Sequence, residues 1–137
     1  MLKVKKGSEL VEFKSICIID LDGDKFWYND KGQYHREKGP AIIYQNGDKK
    51  WYLNGKRHRK DGPAVELKNG YKSWHINGER HREDGPAIEY SGKLKAWYLN
   101  GKKYTKLEFV QKQMSETLSK FGYKFDIKDG NIVLIKE

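Results

Sequence analysis

The stretch WYLNGKRHRKDGPAVELKNGYKSW, residues 51–74, carries one complete copy of the repeat that decides the fold. It runs from one tryptophan to the next and contains a His-Arg pair, a Gly-Pro-Ala triplet and two Asn-Gly pairs. The same landmarks recur at a step of 23 residues, with a first tryptophan interval of 24: Trp27, Trp51, Trp74 and Trp97, and Pro40, Pro63 and Pro86. A fixed period of this length is typical of a tandem array of one supersecondary unit.

Each unit contains two turn signals. The Asn-Gly pairs at 54–55, 77–78 and 100–101 have the sequence of two-residue type I′ turns. The pairs at 22–23, 46–47 and 69–70 predict a second set of such turns, and Gly92-Lys93 predicts a type II′ turn in the same place. The chain is therefore predicted to reverse about every 11 or 12 residues and to form a mainly β, antiparallel hairpin meander.

Turn length also determines which residues face each other across neighbouring strands. Two-residue turns place Trp51 opposite His58 and Ile42 opposite Trp51. One face of the sheet is then predicted to hold Ile42, Tyr44, Trp51, Leu53 and His58, their counterparts Val65, Leu67, Trp74, Ile76 and His81, and Ile88, Tyr90, Trp97, Leu99 and Tyr104. The other face is predicted to hold Lys50, Arg57, Glu66, Ser73, Arg80 and Glu89. This alternation is typical of a sheet with one buried face.

The repeated aromatic and histidine positions have a structural interpretation. Trp51 and Trp74 are predicted to lie in the core, whereas Trp27 and Trp97, near the ends of the array, are predicted to be more exposed. The histidines are interpreted as structural residues that stack against the tryptophan across the strand pair: His35, His58 and His81.

The pattern divides the chain into three parts: an N-terminal cap (1–16), the repeats (17–104) and a C-terminal cap (105–137). Thr105 and Glu108 have capping-box spacing, and apolar residues at helical spacing predict a helix over 106–121. A final hairpin is predicted around 129–130. The helix is predicted to pack on the tryptophan-bearing face and to cover only part of it, which leaves apolar surface for a partner or a second copy of the chain.

Composition narrows the class of protein. The 137 residues carry a formal charge of +9, which favours anionic partners, although bases and acids alternate within the repeats. The single cysteine, Cys17, excludes an internal disulfide and is predicted to be a small buried residue among isoleucines. No segment has the length and hydropathy of a membrane span, so a cytoplasmic protein is expected.

The unit quoted above resembles the MORN-type β-hairpin repeat, with its Asn-Gly, histidine and aromatic positions at intervals near 23 residues. It departs from that pattern after the histidine, where Arg-x-Asp-Gly-Pro-Ala replaces the usual Gly-x-Gly. The segment HREDGPA, residues 81–87, is closer to repeats of tailed bacteriophages and large DNA viruses, and it is similar to those of YwqK-type antitoxins. The resemblance covers about residues 17–104. It implies a non-enzymatic interaction scaffold of viral type and supplies no catalytic residues.

Several residues are candidates for binding. A regular basic edge, formed by Arg36, Lys38, Arg59, Lys60 and Arg82, could grip phosphates or an acidic protein. Alternatively, these side chains form ion pairs with Asp61, Glu83 and Asp84. Trp27, Trp97 and Tyr104 lie where the repeat is imperfect and are further candidates.

The repeated residues argue against catalysis and metal binding. An active site is normally unique, whereas His-Arg and Gly-Pro-Ala occur three times. Strands two apart are separated by roughly 9.6 Å, which is too far for the histidines to share a zinc ion with bonds near 2 Å. We expect neither a catalytic residue, a metal nor a cofactor.

The leading interpretation is a non-enzymatic scaffold that binds another macromolecule, in particular a phage-encoded protein that binds and modulates a host protein such as a defence component. One alternative is an RNA- or DNA-binding protein that uses the basic edge. Another is a nucleotide-binding or sequestering protein. A homodimer is also left open, and a membrane is not expected as a partner.

Overall fold

A computed structural model describes the backbone of residues 2–13 and 15–137 and the side chains of 6–9 and 15–137. An N-terminal hairpin consists of β1 (Leu2–Lys6) and β2 (Glu9–Phe13). The array begins with β3 (Ile16–Ile19), β4 (Lys25–Tyr28), β5 (Ile42–Ile43), β6 (Lys49–Lys50), β7 (Tyr52–Leu53), β8 (Lys56–Arg57) and β9 (Val65–Glu66). It continues with β10 (Lys72–Ser73), β11 (His75–Ile76), β12 (Glu79–Arg80), β13 (Ile88–Tyr90), β14 (Leu94–Leu99) and β15 (Lys102–Tyr104). The chain ends with α1 (Lys106–Lys120), β16 (Tyr123–Lys128) and β17 (Asn131–Lys136).

The repeats form the antiparallel meander that the sequence predicts. Nine strands are hydrogen-bonded in the order β15-β14-β13-β10-β9-β6-β5-β4-β3. The hairpins β7–β8 and β11–β12 are separate two-stranded ladders between consecutive strands of this sheet. In the last unit, by contrast, the corresponding hairpin β14–β15 is part of the nine-stranded sheet.

The two sets of turns differ, and this corrects the predicted register. Asn54, Asn77 and Asn100 have φ near +50°, and Leu53 pairs with Lys56, as predicted for type I′ turns. At the second set only the glycine has positive φ. Gly47 N–H donates to Tyr44 O, and Tyr44 N–H donates to Asp48 O. These bonds close a three-residue loop with a type I turn and a glycine bulge.

The extra loop residue moves the register by one position. Ile42 therefore pairs with Lys50, and the predicted pairing with Trp51 is wrong. The predicted type II′ turn is also wrong, since Ser91 and Gly92 are its central residues and both have positive φ.

Part of the core lies on the face of the sheet opposite to the tryptophans, and part lies on their own face, where Leu99 is buried two residues after Trp97. One transverse row of paired residues runs through Phe26, Ile42, Lys50, Val65, Ser73, Ile88 and Ala96. Ser73 is only 1% exposed, and the alanine of every Gly-Pro-Ala triplet is fully buried. The prediction that Lys50 and Ser73 occupy the face opposite Ile42 is therefore wrong, because the register shift exchanges the two faces.

The tryptophans are not core residues. Trp51 and Trp74 are half-buried, and so are Trp27 and Trp97, so neither the predicted burial nor the predicted contrast is found. We call their side of the sheet the tryptophan face.

The C-terminal elements follow the prediction closely. Helix α1 has the Thr105–Glu108 capping box and ends at Lys120, with Phe121 as its C-cap and Gly122 in the left-handed region after it. The final hairpin turns at Asp129 and Gly130, both with positive φ. The helix packs against β14, β15 and β16. Phe109 is its buried residue, however, whereas Leu107, Val110 and Phe121, three of the apolar residues whose helical spacing predicts the helix, are exposed.

The first strand of the sheet is more exposed than its sequence suggests. All four residues of β3 are exposed, including Cys17, which corrects the expectation that this cysteine is buried. The strand lies at an edge of the sheet. None of the described residues belongs to a helix that is long and apolar enough to cross a membrane.

Candidate binding surface

The arginine of each corner is held flat on the tryptophan of its unit. We name the corners by residues: corner 1 is 36–40, corner 2 is 59–63 and corner 3 is 82–86. In each of them the arginine Cζ lies 3.9 Å from the centroid of a tryptophan ring: Arg36 on Trp27, Arg59 on Trp51 and Arg82 on Trp74. This is cation–π geometry on the aromatic ring that favours it most.

In corner 2 the guanidinium makes three hydrogen bonds within the unit. Arg59 Nε donates to Asp61 Oδ1 at 3.0 Å, and Nη1 donates to Glu66 Oε1 at 2.8 Å and to the Pro63 carbonyl at 3.1 Å. The hydrogen bond from Arg59 and its positive charge lower the pKa of the Asp61 carboxyl. Arg82 makes the corresponding bonds to Asp84, Glu89 and the Pro86 carbonyl.

The corner glycine makes room for this arrangement. A Cβ on Gly62 would lie 2.8 Å from the Arg59 Cζ, and one on Gly85 would lie 3.2 Å from the Arg82 Cζ. The guanidinium is thus enclosed between the glycine and the indole ring. This explains why Trp, Arg and Gly-Pro recur together at a fixed spacing.

Corner 1 keeps the arginine but lacks the two carboxylates that bind the arginine in corners 2 and 3. Arg36 lies on Trp27 and donates to the Pro40 carbonyl at 3.2 Å. The position of Asp61 is occupied here by Lys38, and the position of Glu66 is occupied by Ile43. Arg36 therefore keeps the tryptophan and carbonyl contacts of its counterparts, and the two acids that bind Arg59 and Arg82 have no equivalent in corner 1.

The repeated histidines connect consecutive hairpins. In each unit Nδ1 accepts a hydrogen bond of 3.0 Å from the backbone N–H of the turn asparagine 19 residues later: His35 from Asn54, His58 from Asn77 and His81 from Asn100. Accepting an N–H requires that Nδ1 carries no proton. Each histidine also pairs across the strand with tryptophan through the backbone, as His58 N–H donates to Trp51 O. Within the described residues no group of histidine, cysteine or carboxylate side chains is arranged to hold a metal.

Two grooves of similar construction open on the tryptophan face. Groove A lies between corner 1 and the segment from Trp51 to Asp61 and has a volume of about 640 Å³. Groove B lies between corner 2 and the segment from Trp74 to Asp84 and has a volume of about 740 Å³. Leu53 in groove A and Ile76 in groove B are equivalent in the repeat, and both are half-buried.

At the third equivalent position, helix α1 packs against β14 and β15, the strands that carry Trp97, Leu99 and Tyr104. The space beside Glu83 and Asp84 of corner 3 is lined on its other side by Phe109, Val110, Gln113, Met114, Thr117 and Leu118 of α1. Leu99, the counterpart of Leu53 and Ile76, is buried to 6% exposure. The half-buried Tyr104 replaces the histidine here, and Thr105 replaces the arginine and caps the helix.

The grooves differ in charge although they are built alike. Groove A is lined by Arg36, Lys38, Arg59 and Lys60 together with Glu37 and Asp61, a formal charge of +2. Groove B is lined by Arg59, Lys60 and Arg82 together with Asp61, Glu83 and Asp84, a formal charge of zero. The histidines are counted as neutral. Both grooves contain Arg59, Lys60 and Asp61, so the difference arises from Lys38 of corner 1, which stands in the position of Asp84 of corner 3.

A buried Ser-His pair interrupts the repeat in the middle of the array. His75 stands where the other units have Tyr52 and Tyr98, and Ser73 stands where they have Lys50 and Ala96. His75 is 4% exposed, and its Nε2 shares a hydrogen bond of 3.0 Å with Ser73 Oγ. Its Nδ1 is buried and has no hydrogen-bond partner among the described residues.

The surroundings of His75 disfavour its charged form. Burial lowers its pKa to about 4, and the nearby charge of Arg57 acts in the same direction, while the Gly78 carbonyl opposes them. The ring is thus neutral at physiological pH.

The basic edge that the sequence predicts is only partly available. Arg59 and Arg82 are engaged in the ion pairs considered as the alternative, with Asp61 and Asp84, whereas Glu83 lies 3.6 Å from His81 Nε2. Arg36, Lys38 and Lys60 line groove A. Sequence reasoning missed Glu66 and Glu89, whose role depends on the register, and it missed the bond from histidine Nδ1 to the next asparagine.

Comparisons with protein-family models, with curated proteins and with solved structures each found no match.

Proposed function

We propose that the protein is a non-enzymatic scaffold that binds a polypeptide segment of another protein along the tryptophan face, in grooves A and B. One observation carries the proposal: at the third position of the series, a helix of the chain itself packs against the strands that carry the equivalent residues. Leu99 is buried there, whereas the equivalent Leu53 and Ile76 are half-buried. A face that accepts α1 in one unit offers comparable surface in the other two.

The bonding of the corner residues supports a role in binding rather than in catalysis. In corners 2 and 3 the arginine and aspartate bind each other, and the histidines accept backbone N–H groups. Residues that act as general acids or bases need a free proton-transfer path to a substrate. The arginine–aspartate pairs are instead bound within their corners, and the histidines join consecutive hairpins.

The resemblance to phage repeats shapes the rest of the proposal. A viral scaffold of this type acts in the host cytoplasm, and its partner is a host protein, for example a component of a defence system. Binding then modulates that protein. A second copy of the chain is an alternative occupant of the same grooves.

The experiment compares capture of host proteins by the wild type and by two variants. Ile76→Glu places a carboxylate in groove B, and Leu21→Glu is the control, because Leu21 is fully exposed and does not line either groove. We expect a protein that is captured by the wild type and by Leu21→Glu and is lost with Ile76→Glu. Equal capture by all three proteins, or none by a folded wild type, would contradict the proposal. Sedimentation of the purified protein tests for self-association.

A row of lysines favours nucleic acid as the second candidate function. Lys25, Lys49, Lys72 and Lys95 lie in one transverse row of the sheet and are all exposed. They recur on alternate strands, at a spacing of roughly 9.6 Å. Phosphate contacts are strongest at low ionic strength. Absence of binding to single-stranded oligonucleotides in low salt would exclude this candidate.

A further inference from the structure

We propose that groove A binds an acidic segment of the partner, whose carboxylates pair with Arg36 and Lys38 in the way that Asp61 and Glu66 pair with Arg59. The inference rests on the proposed function and adds the chemistry of the partner. We call the position of each corner arginine, with its guanidinium on a tryptophan ring and beside a glycine, the arginine seat. The seats of Arg59 and Arg82 contain two acids each, whereas the seat of Arg36 lacks them.

The guanidinium of Arg36 is already in place for such a partner. It is stacked on Trp27, bound to the Pro40 carbonyl and close to Gly39, where a Cβ would lie 3.1 Å from the Arg36 Cζ. Three contacts therefore limit its rotamers before any partner binds. A side chain that is ordered in advance loses less entropy on binding, which strengthens the interaction.

The other two corners show which anion fits the seat. At Arg59 and Arg82 the positions next to Nε and Nη1 are taken by carboxylates, at distances of 2.8 to 3.0 Å. Planar carboxylates match the planar guanidinium, and such charge-assisted bonds are among the strongest hydrogen bonds in proteins. The acids that the repeat normally supplies from within the chain are thus expected from the partner.

The walls of the groove favour a polypeptide over an isolated anion. Trp51 and Leu53 form an apolar side, and the cationic side chains lie around them, including Lys60. A segment that alternates acidic and apolar residues would contact both kinds of wall. The formal charge of +2, against zero in groove B, makes groove A the preferred site for an acidic segment.

The test uses a variant that restores the missing acids. The double substitution Lys38→Asp, Ile43→Glu gives corner 1 the residues of corner 2. It is expected to keep the fold, because the same pair of acids is already accommodated twice. The control, Lys128→Asp, Ile132→Glu, makes the same change of charge at two exposed positions of the final hairpin.

The probe is a fluorescein-labelled peptide of alternating glutamate and leucine, and the readout is fluorescence anisotropy. We expect the wild type and the control to bind it and the Lys38→Asp, Ile43→Glu variant to bind at least about tenfold more weakly, a loss of about 1.4 kcal/mol. No binding by the wild type, or equal weakening by the variant and the control, would overturn the inference.

Inorganic phosphate and a single-stranded oligonucleotide are measured in parallel. Tighter binding of the oligonucleotide that depends on Lys38 would assign the seat to phosphates and overturn it as well.

Failure of this inference can be distinguished from failure of the proposed function. If a host protein is lost with Ile76→Glu but retained by the Lys38→Asp, Ile43→Glu variant, the scaffold function stands and the binding of an acidic segment at Arg36 and Lys38 is wrong. If the peptide requires Lys38 and no host protein depends on Ile76, the seat stands and the scaffold function is wrong.

Discussion

The guanidinium of Arg59 lies between two residues of its own unit, with its Cζ 3.9 Å from the centroid of the Trp51 ring and with the backbone of Gly62 behind it. Asp61 accepts a hydrogen bond from its Nε, and Glu66 accepts one from its Nη1. Since Arg82 repeats the arrangement, the arginines that suggest a basic surface in the sequence are mostly structural. Corner 1 is the exception, because Lys38 and Ile43 stand there in the positions of the two acids.

The contact between Gly62 and Arg59 predicts the cost of adding a methyl group. Gly62→Ala would place a Cβ 2.8 Å from the Arg59 Cζ, so the guanidinium must move off Trp51 or the corner must shift. Overpacking of this kind destabilises by about 1–3 kcal/mol. Urea denaturation measures the change.

A double-mutant cycle provides the control for that prediction. In an Arg59→Ala background the clash is absent, so Gly62→Ala should cost much less there. An equal cost in both backgrounds would mean that the glycine is needed for its backbone conformation and not for the space it leaves.

The histidine that joins two hairpins predicts a second effect. Replacing His58 by leucine removes the acceptor of the Asn77 N–H, which is bound at 3.0 Å. The expected loss of stability is about 0.5–1.5 kcal/mol. His58→Asn is the matched variant, because its side-chain oxygen can take the place of Nδ1, and it should retain most of the stability. Thermal unfolding of the two variants decides between an acceptor role and a mere space-filling role.

The sequence predicts the architecture well because its strongest signals are local. The type I′ turns follow from Asn-Gly, and the helix start follows from Thr105 and Glu108, since these residues bind their own neighbours. The second set of turns could not be resolved in the same way. Asn46-Gly47 fits either a two-residue loop or the end of a three-residue loop, and the two differ by one residue of register.

This shift of the register by one residue explains most of what the sequence could not predict about the surface. A shift of one residue exchanges the two faces of a strand, so Ser73 becomes a core residue and the tryptophans do not. The partner of Arg59, Glu66, is seven residues away and becomes visible only when that register is known. Phe109 was missed for a different reason, because its burial depends on how α1 meets the sheet and not on the spacing of apolar residues.

The buried histidine in the middle of the array predicts a dependence of stability on pH. The pKa of His75 is about 4 in the folded protein, against 6.5 for the reference side chain. Between these values the unfolded chain binds more protons than the folded one, so the free energy of unfolding falls as the pH decreases from about 6.5 to about 4. The full contribution is about 3 kcal/mol, from 1.36 kcal/mol per pKa unit.

The variant His75→Tyr tests the assignment of this pH dependence. Tyrosine occupies the equivalent position in two other units, as Tyr52 and Tyr98. The measurement is the slope of unfolding free energy against pH over that interval, which should be smaller in the variant than in the wild type. The slope is informative even if tyrosine itself changes the stability. An unchanged slope would assign the effect to other groups.

The docking of α1 on the array predicts an unequal effect of two neighbouring helix residues. Phe109 is 6% exposed and Val110 is 50% exposed. Phe109→Ala should cost about 3 kcal/mol or more, because it removes a buried aromatic side chain and leaves a cavity. Val110→Ala should change the stability by less than about 0.5 kcal/mol.

Because α1 contacts β14, which carries Leu99, loosening the helix should also uncover the third position of the tryptophan face. Increased binding of an apolar dye by Phe109→Ala, and not by Val110→Ala, would show that the helix closes a site that the first two units leave open; equal dye binding by both variants would show that α1 packs there without covering such a site.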